Sequence, residues 1–280
     1  MLRLLTDGAI DVPAGWDKEF DIKIIPINIH FGEKTYIQNV DMDLNAFYKE
    51  IGTNKEHPKT SQPSPHQFVE YIRNNYQKGE TILAIHVTSK LSGTYASCTA
   101  AAEELKGEYN LIPFDSMAGS VGGAFMCRTA YKMAKAGKSV EEIVKKLEAM
   151  RLKTQILLTL DNLEFAKRSG RVGTLKAALA SVLNVKPIAK LQDGILEMVE
   201  RARTRKAAIT RVVEMGKEAA GDMPVFVAAV HAHDIESAKM LLEETKKSLN
   251  VKESEFAELS ISLAINLGPG TVGLVIYPAE

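Results

Sequence analysis

Apolar positions in the first half of the chain recur in a strand, polar turn, helix order. Leu2–Leu5 predicts a short buried strand ending at Thr6-Asp7-Gly8, and Ile22–Phe31 a second strand broken near Pro26. Ser64 before Pro65, followed by Phe68, Ile72 and Tyr76 at helical spacing, predicts a capped helix start. Thr81–Val87 reads as a buried strand, Thr88–Ser92 as a polar turn and Thr94–Leu105 as a packed helix. The order repeats with Leu111–Phe114, the turn Asp115-Ser116 and a helix rich in Gly, Ala and Met through Lys135. Such a repeat predicts a parallel sheet with helices on both faces, and binding groups at the carboxyl ends of its strands.

After a charged helix capped by Ser139 and running to about Met150, the pattern changes. Ile156–Leu160 predicts a strand, Leu163–Arg168 a short helix, and Leu175–Leu183 an Ala/Leu helix that is apolar nearly all round. Pro187–Leu191 and Ile195–Val199 flank Gln192-Asp193-Gly194, an antiparallel hairpin because Asp-Gly suits the positive φ of a tight turn. A basic helix from Thr204 to about Ala220, a strand Val225–Val230, a helix Ile235–Leu249 and a strand around Leu259–Ile265 complete the reading. The expected fold is α/β in two domains. Residues 1–155 form an N-terminal parallel α/β/α sandwich, and 156–280 a C-terminal α/β domain with a mixed or antiparallel sheet.

Composition narrows the partners. The 280 residues are 45% hydrophobic and 25% charged, ordinary for a soluble globular protein. Thirty-five basic and 35 acidic residues leave no net field to attract nucleic acid, and at most transient contact with a membrane is expected. Cys98 and Cys127 lie far apart without a C-x-x-C spacing, which favours reduced thiols over a metal or redox site. No stretch approaches the roughly 18 apolar residues of a membrane span, and the first apolar run is too short for a signal peptide. A cytoplasmic protein is the expectation.

The chemistry concentrates in two hydroxyl-rich turns, Thr60-Ser61-Gln62-Pro63-Ser64 and Leu91-Ser92-Gly93-Thr94-Tyr95, each at a helix start. Unpaired N–H groups and the positive end of a helix dipole, with hydroxyls beside them, hold a carboxylate or phosphate without lysine, arginine or metal. Asn266-Leu267-Gly268-Pro269-Gly270 is a third turn whose glycine backbone allows close approach. Other readings compete. Ser92 with His86 or His231 as base would make a serine hydrolase, but the Gly-x-Ser-x-Gly elbow is missing around Ser92. A nucleotide binder lacks both glycine-rich phosphate motifs. His231-Ala232-His233-Asp234 offers two imidazoles on one face but no further ligand cluster, and Asp234 equally caps the next helix, so no metal is expected.

These turns, with Asp115-Ser116, Gly170-Arg171-Val172, Lys186-Pro187-Ile188, Arg203-Thr204 and Gly268-Pro269-Gly270, resemble the DegV family of bacterial fatty-acid-binding proteins. The resemblance implies a long-chain fatty acid in a tunnel between domains, with no cofactor and no catalytic residue of its own. It places Thr60 and Ser92 on the carboxylate, with Ser61, Gly93, Asn266 and Gly268 beside them; such a tunnel needs apolar wall on both domains, and Ala118–Met126 and Leu175–Leu183 are the apolar segments expected to supply it. It also implies a fatty-acid kinase partner that phosphorylates the carboxylate for phospholipid synthesis, with Arg171 and Arg203 tied to docking. Two positions depart from the family pattern: Gly8 stands where a serine is usual after the first aspartate, and Asn266 where a histidine is usual. Asparagine donates a hydrogen bond but does not titrate near neutral pH.

Overall fold

The computed structural model describes residues 2–54, 56–171 and 185–279. The chain divides into two compact units, Met1–Leu152 and Lys153–Glu280.

The N-terminal unit runs β1 (Leu2–Asp7), α1 (Trp16–Glu19), β2 (Ile22–Ile25), β3 (Asn28–Phe31), β4 (Lys34–Ile37), α2 (Leu44–Thr53), β5 (Lys59–Ser61), α3 (Pro65–Asn75), β6 (Thr81–His86), α4 (Thr94–Glu104), β7 (Asn110–Asp115), α5 (Ser120–Lys135) and α6 (Val140–Lys153). Its main sheet has the order β2-β1-β6-β7, and every pair is parallel. Side chains alternate across a strand, so Leu5, Ile82 and Ala84 share one face, where they pack with Phe68, Val69 and Ile72 of α3 and Cys98 and Ala101 of α4. Helix α5 packs on the other face, with Cys127 against Thr6. The expected parallel sandwich is therefore present.

A smaller antiparallel sheet, β4-β3-β5, was not foreseen. The apolar run at 22–31 divides around Pro26: Ile22–Ile25 joins the parallel sheet, while Asn28–Phe31 leaves it for the small one. Proline removes the ladder donor at the switch. Strands β4 and β5 are short and largely polar, which hides them from any hydrophobic pattern. Helix α3 starts as predicted: Ser64 Oγ accepts from Gln67 N at 3.2 Å, and Gln67 Oε1 accepts from Ser64 N at 2.9 Å.

The C-terminal unit runs β8 (Gln155–Thr159), α7 (Glu164–Ser169), β9 (Lys186–Gln192), β10 (Ile195–Ala202), α8 (Arg205–Ala220), β11 (Val225–His231), α9 (Ile235–Ser248), β12 (Val251–Glu258), α10 (Ile261–Leu267) and β13 (Val272–Pro278). The sheet order is β10-β9-β8-β13-β11-β12, mixed because β11 and β12 pair in parallel while the other neighbours are antiparallel. Asp193 and Gly194 both take positive φ, 51° and 78°, so the predicted hairpin turn forms. Ala208, Ile209 and Val212 of α8 and Leu241 of α9 pack on Leu157, Leu274 and Ile276 of the sheet.

One element is corrected. The strand expected at Leu259–Ile265 is a helix, Ile261–Leu267, and β12 ends before it at Glu258. Leu259-Ser260-Ile261-Ser262-Leu263 alternates like a strand, but Ser262 is buried beside Ile261 and its hydroxyl lies 3.2 Å from Ser260 Oγ. A hydrogen-bonded hydroxyl does not have to face water, so the alternation misleads. The final strand β13 carried no such alternation because both its faces are buried. The helix expected at Leu175–Leu183 lies outside the described residues.

Candidate anion-binding site

The loops of a parallel sheet gather at the carboxyl ends of its strands, and here both hydroxyl turns do so. After β6, Leu91 N and Ser92 N donate to Thr88 O at 3.1 and 3.2 Å, which folds the turn ahead of α4. Ser92 Oγ pairs with Thr94 Oγ1 at 2.8 Å and accepts from Thr94 N at 3.3 Å. Gly93 is the N-cap and offers no side chain to the first-turn N–H groups. Asp115 braces this turn from β7, since its Oδ1 accepts from Ser89 N at 3.2 Å and Met117 N at 3.0 Å.

The first turn begins inside β5. Thr60 pairs with Ile29 and Ser61 with Asn28, so their side chains leave opposite faces of the strand. Ser61 Oγ lies 2.8 Å from His30 Nε2, and His30 Nδ1 lies 2.9 Å from Thr35 Oγ1. Gln62 brings the two turns together: a Cβ built on Gly93 would sit 2.7 Å from Gln62 Nε2. The Gln62 amide therefore lies directly against the start of α4.

At the ends of β1 and β6 lies a buried contact, Asp7 with His86, that the sequence did not foresee. His86, at the end of an apolar strand, places Nδ1 3.0 Å from Asp7 Oδ2, and neither side chain is exposed. Asp7 also accepts from Val87 N at 3.0 Å and Ala9 N at 2.9 Å, so one carboxylate fastens the loops after β1 and β6. Burial alone would lower the imidazole, but Cys98 and the Asp7 carboxylate outweigh it and the pKa rises to about 10. Next to Asp7, Gln38 Nε2 donates to Gly8 O at 2.8 Å and stands 2.8 Å from where a Cβ of residue 8 would be. The glycine at position 8 is thus matched to a glutamine amide laid over it.

Ser92 Oγ pairs with Thr94 Oγ1, and His86 Nδ1 pairs with Asp7 Oδ2.

The C-terminal unit holds the remaining candidates. Asn266 Nδ2 donates back to Ser262 O at 2.6 Å, and Gly268 takes φ 88° with Phe165 packed where a side chain would start. Arg171 is exposed, its guanidinium on Ser169 O at 2.6 Å, and Arg203 is exposed just before Thr204, the N-cap of α8. Arg205, in the first turn of the basic helix, is half-buried: it donates to Gly270 O and to Asp234 Oδ2 at 3.1 Å. Nearby, burial acts to raise the Asp161 carboxyl, but Lys186 and Arg205 prevail and hold it below the usual range. Asp234 caps α9 by accepting from Ser237 N at 3.2 Å. Burial lowers the pKa of His231. Among the described residues no cluster of His, Cys, Asp and Glu could hold a metal, and no helix is long and apolar enough to cross a membrane.

Fold and turns define a two-unit α/β protein with neutral, hydroxyl-rich helix starts joined at the ends of a parallel sheet. The chain belongs to the DegV family: the family described as "Uncharacterised protein, DegV family" matches residues 1–279. It is 30% identical to Protein DegV of Bacillus subtilis over 98% of both chains. Among solved structures it is similar to a DegV family protein from Thermus thermophilus, described by its fatty-acid binding (28% identity, TM-score 0.90, 99% of both chains). It is similar also to DegV of Bacillus subtilis, described as a fatty acid binding protein (29% identity, TM-score 0.85, 99% of both chains).

Proposed function

We propose that this protein binds a long-chain fatty acid without catalysing a reaction on it, and that Thr60, Ser92 and the backbone at Gly93 hold the carboxylate. Ser61 stands beside them, fastened to His30. The observation that carries the reading is the contact of Gln62 with Gly93, which joins two otherwise separate hydroxyl turns at one pair of helix starts. The fatty-acid binding named for the Thermus thermophilus and Bacillus subtilis relatives supports it.

The energetics favour a lipid. About 0.8 kcal/mol per buried methylene gives on the order of 10 kcal/mol for a dozen, before ordering costs. A carboxylate leaving water loses several kcal/mol unless it is hydrogen-bonded, so neutral donors offset that loss and orient the head. We propose further that a partner kinase phosphorylates the presented carboxylate in the cytoplasm; Arg171 and Arg203, both exposed, are available to dock it.

Native mass spectrometry after bacterial expression, with extraction of the ligand, tests the first claim: a co-purified fatty acid is expected. Thr60→Val with Ser92→Ala removes two charge-assisted bonds and should weaken palmitate binding about 100-fold by calorimetry. Unchanged affinity would contradict the assigned head-group site. Ester turnover that disappears in Ser92→Ala would favour the hydrolase instead.

A further inference from the structure

We propose that Gln38 is a positioning residue of the head-group site: its buried amide fastens the small sheet that carries Thr60 and Ser61 onto the loop after β1, at Gly8. The inference rests on the head-group site proposed above and names what keeps its two halves together.

Thr60 and Ser61 belong to the small sheet β4-β3-β5, whereas Ser92 and Gly93 follow β6 of the parallel sheet. The small sheet joins the rest of its unit through two connectors that each hold a proline, Pro26 and Pro63, which cannot donate to a ladder. Register places its contacts. Asn28 pairs with Ile37, and Gln38 N donates to Ile27 O at 3.0 Å, so Gln38 lies beside Ile27. On the other side Ile29 pairs with Thr60 and Asn28 with Ser61, and one residue further puts Gln62 beside Ile27 as well. Residues abreast in a sheet project to the same face. Gln38 and Gln62 therefore leave the end of the small sheet in the same direction, one to Gly8 and the other to Gly93.

The bond at Gly8 is shielded from water. Gln38 is 3% exposed, and its Nε2 donates to Gly8 O at 2.8 Å. Gly8 N donates to Ile25 O of β2 at 3.0 Å, and the neighbouring Asp7 accepts from Val87 N after β6, so the segment that receives the glutamine is itself held on both sides. A second tie from the small sheet, between the Asn28 and Gln67 amides at 3.3 Å, is exposed, where water competes for it. A Cβ on Gly8 would stand 2.8 Å from Gln38 Nε2 and 3.1 Å from its Cδ. Gly8 is not among the left-handed glycines, so the glutamine, not the backbone, requires glycine there. Among the described residues Gln38 Oε1 finds no partner. An unpaired buried acceptor costs stability, and a methionine of similar length would fill the space without it. Stability alone does not explain this amide; fastening the hydroxyl-bearing sheet does.

Gln38→Met keeps the bulk and removes the bond. It should weaken palmitate about tenfold by calorimetry, the worth of one hydrogen bond, while the urea midpoint stays within about 0.5 M because the unpaired acceptor goes too. Gly8→Ala should displace the amide and also weaken palmitate about tenfold. Both changes together should cost about tenfold rather than a hundredfold, because they break the same bond. In the unmodified protein, palmitate should slow hydrogen exchange in residues 28–38 as well as at the hydroxyl turns, since seating of the sheet and binding are linked; this needs no variant to fold. Full affinity in Gln38→Met, a midpoint that falls by more than about 0.5 M, a hundredfold loss in the double variant, or exchange in 28–38 indifferent to palmitate would overturn the proposal. If Thr60→Val with Ser92→Ala leaves palmitate unaffected, the head-group reading itself has failed, and this proposal with it. If that pair weakens binding and Gln38→Met does not, only the role of Gln38 falls.

Discussion

At the scale of single residues, the buried Asp7–His86 pair makes stability depend on pH. An unfolded histidine titrates near 6.5 and His86 near 10 when folded, so the folded state binds the proton more tightly. Its contribution is complete below about pH 6.5 and declines as pH rises towards about 10. Urea midpoints should therefore fall between pH 7 and 10, and His86→Gln should flatten that slope; an identical slope would contradict the pairing. Gly93 makes a different prediction. Its φ of −77° suits any residue, and the Gln62 amide that a methyl would meet belongs to an exposed, flexible side chain. Gly93→Ala should change stability by less than about 1 kcal/mol yet weaken palmitate, because the methyl occupies the approach to the α4 start. Calorimetry beside thermal melting separates the two effects.

At the scale of elements, the two units differ in how much of them is legible. The Asp193-Gly194 hairpin and the Ser64 cap were readable because each depends on local backbone chemistry: positive φ in one case, orphan N–H groups in the other. Strands β4 and β5 were not: β4 is the short second arm of a hairpin with β3, and β5 takes β3 as its partner across the whole of α2, so neither owes its strand to a run of its own apolar residues. Helix α10 was misread because its serines alternate with apolar residues while bonding one another. In β13 a glycine makes room for side chains of the strands beside it: a Cβ at Gly273 would lie 2.2 Å from Leu158 Cδ2 and 3.1 Å from Leu157 O. Gly273→Ala should cost about 1–3 kcal/mol or more in chemical denaturation, and a smaller loss would mean that the β8 side chains yield easily.

At the scale of the whole molecule, a ligand that binds only the folded chain must stabilise it. Delipidated protein given palmitate at a hundredfold excess over Kd should gain about 2.7 kcal/mol, visible as a raised unfolding midpoint. The Thr60→Val, Ser92→Ala double variant at the same palmitate concentration should gain much less. A midpoint indifferent to palmitate would remove the fatty acid from the proposal, whatever the fold.

The sequence by itself determined the α/β class, the parallel first sheet, the hairpin and the positions of the two hydroxyl turns, because periodicity, caps and turn residues act within a few residues of chain. It also carried the family resemblance. Only the tertiary structure decided which polar groups meet. Gln62 reaches Gly93, Asp7 reaches His86 and Arg205 reaches Gly270 across 31, 79 and 65 positions. No local pattern records such a pairing, since it is set by strand register and by which face of the sheet a helix covers.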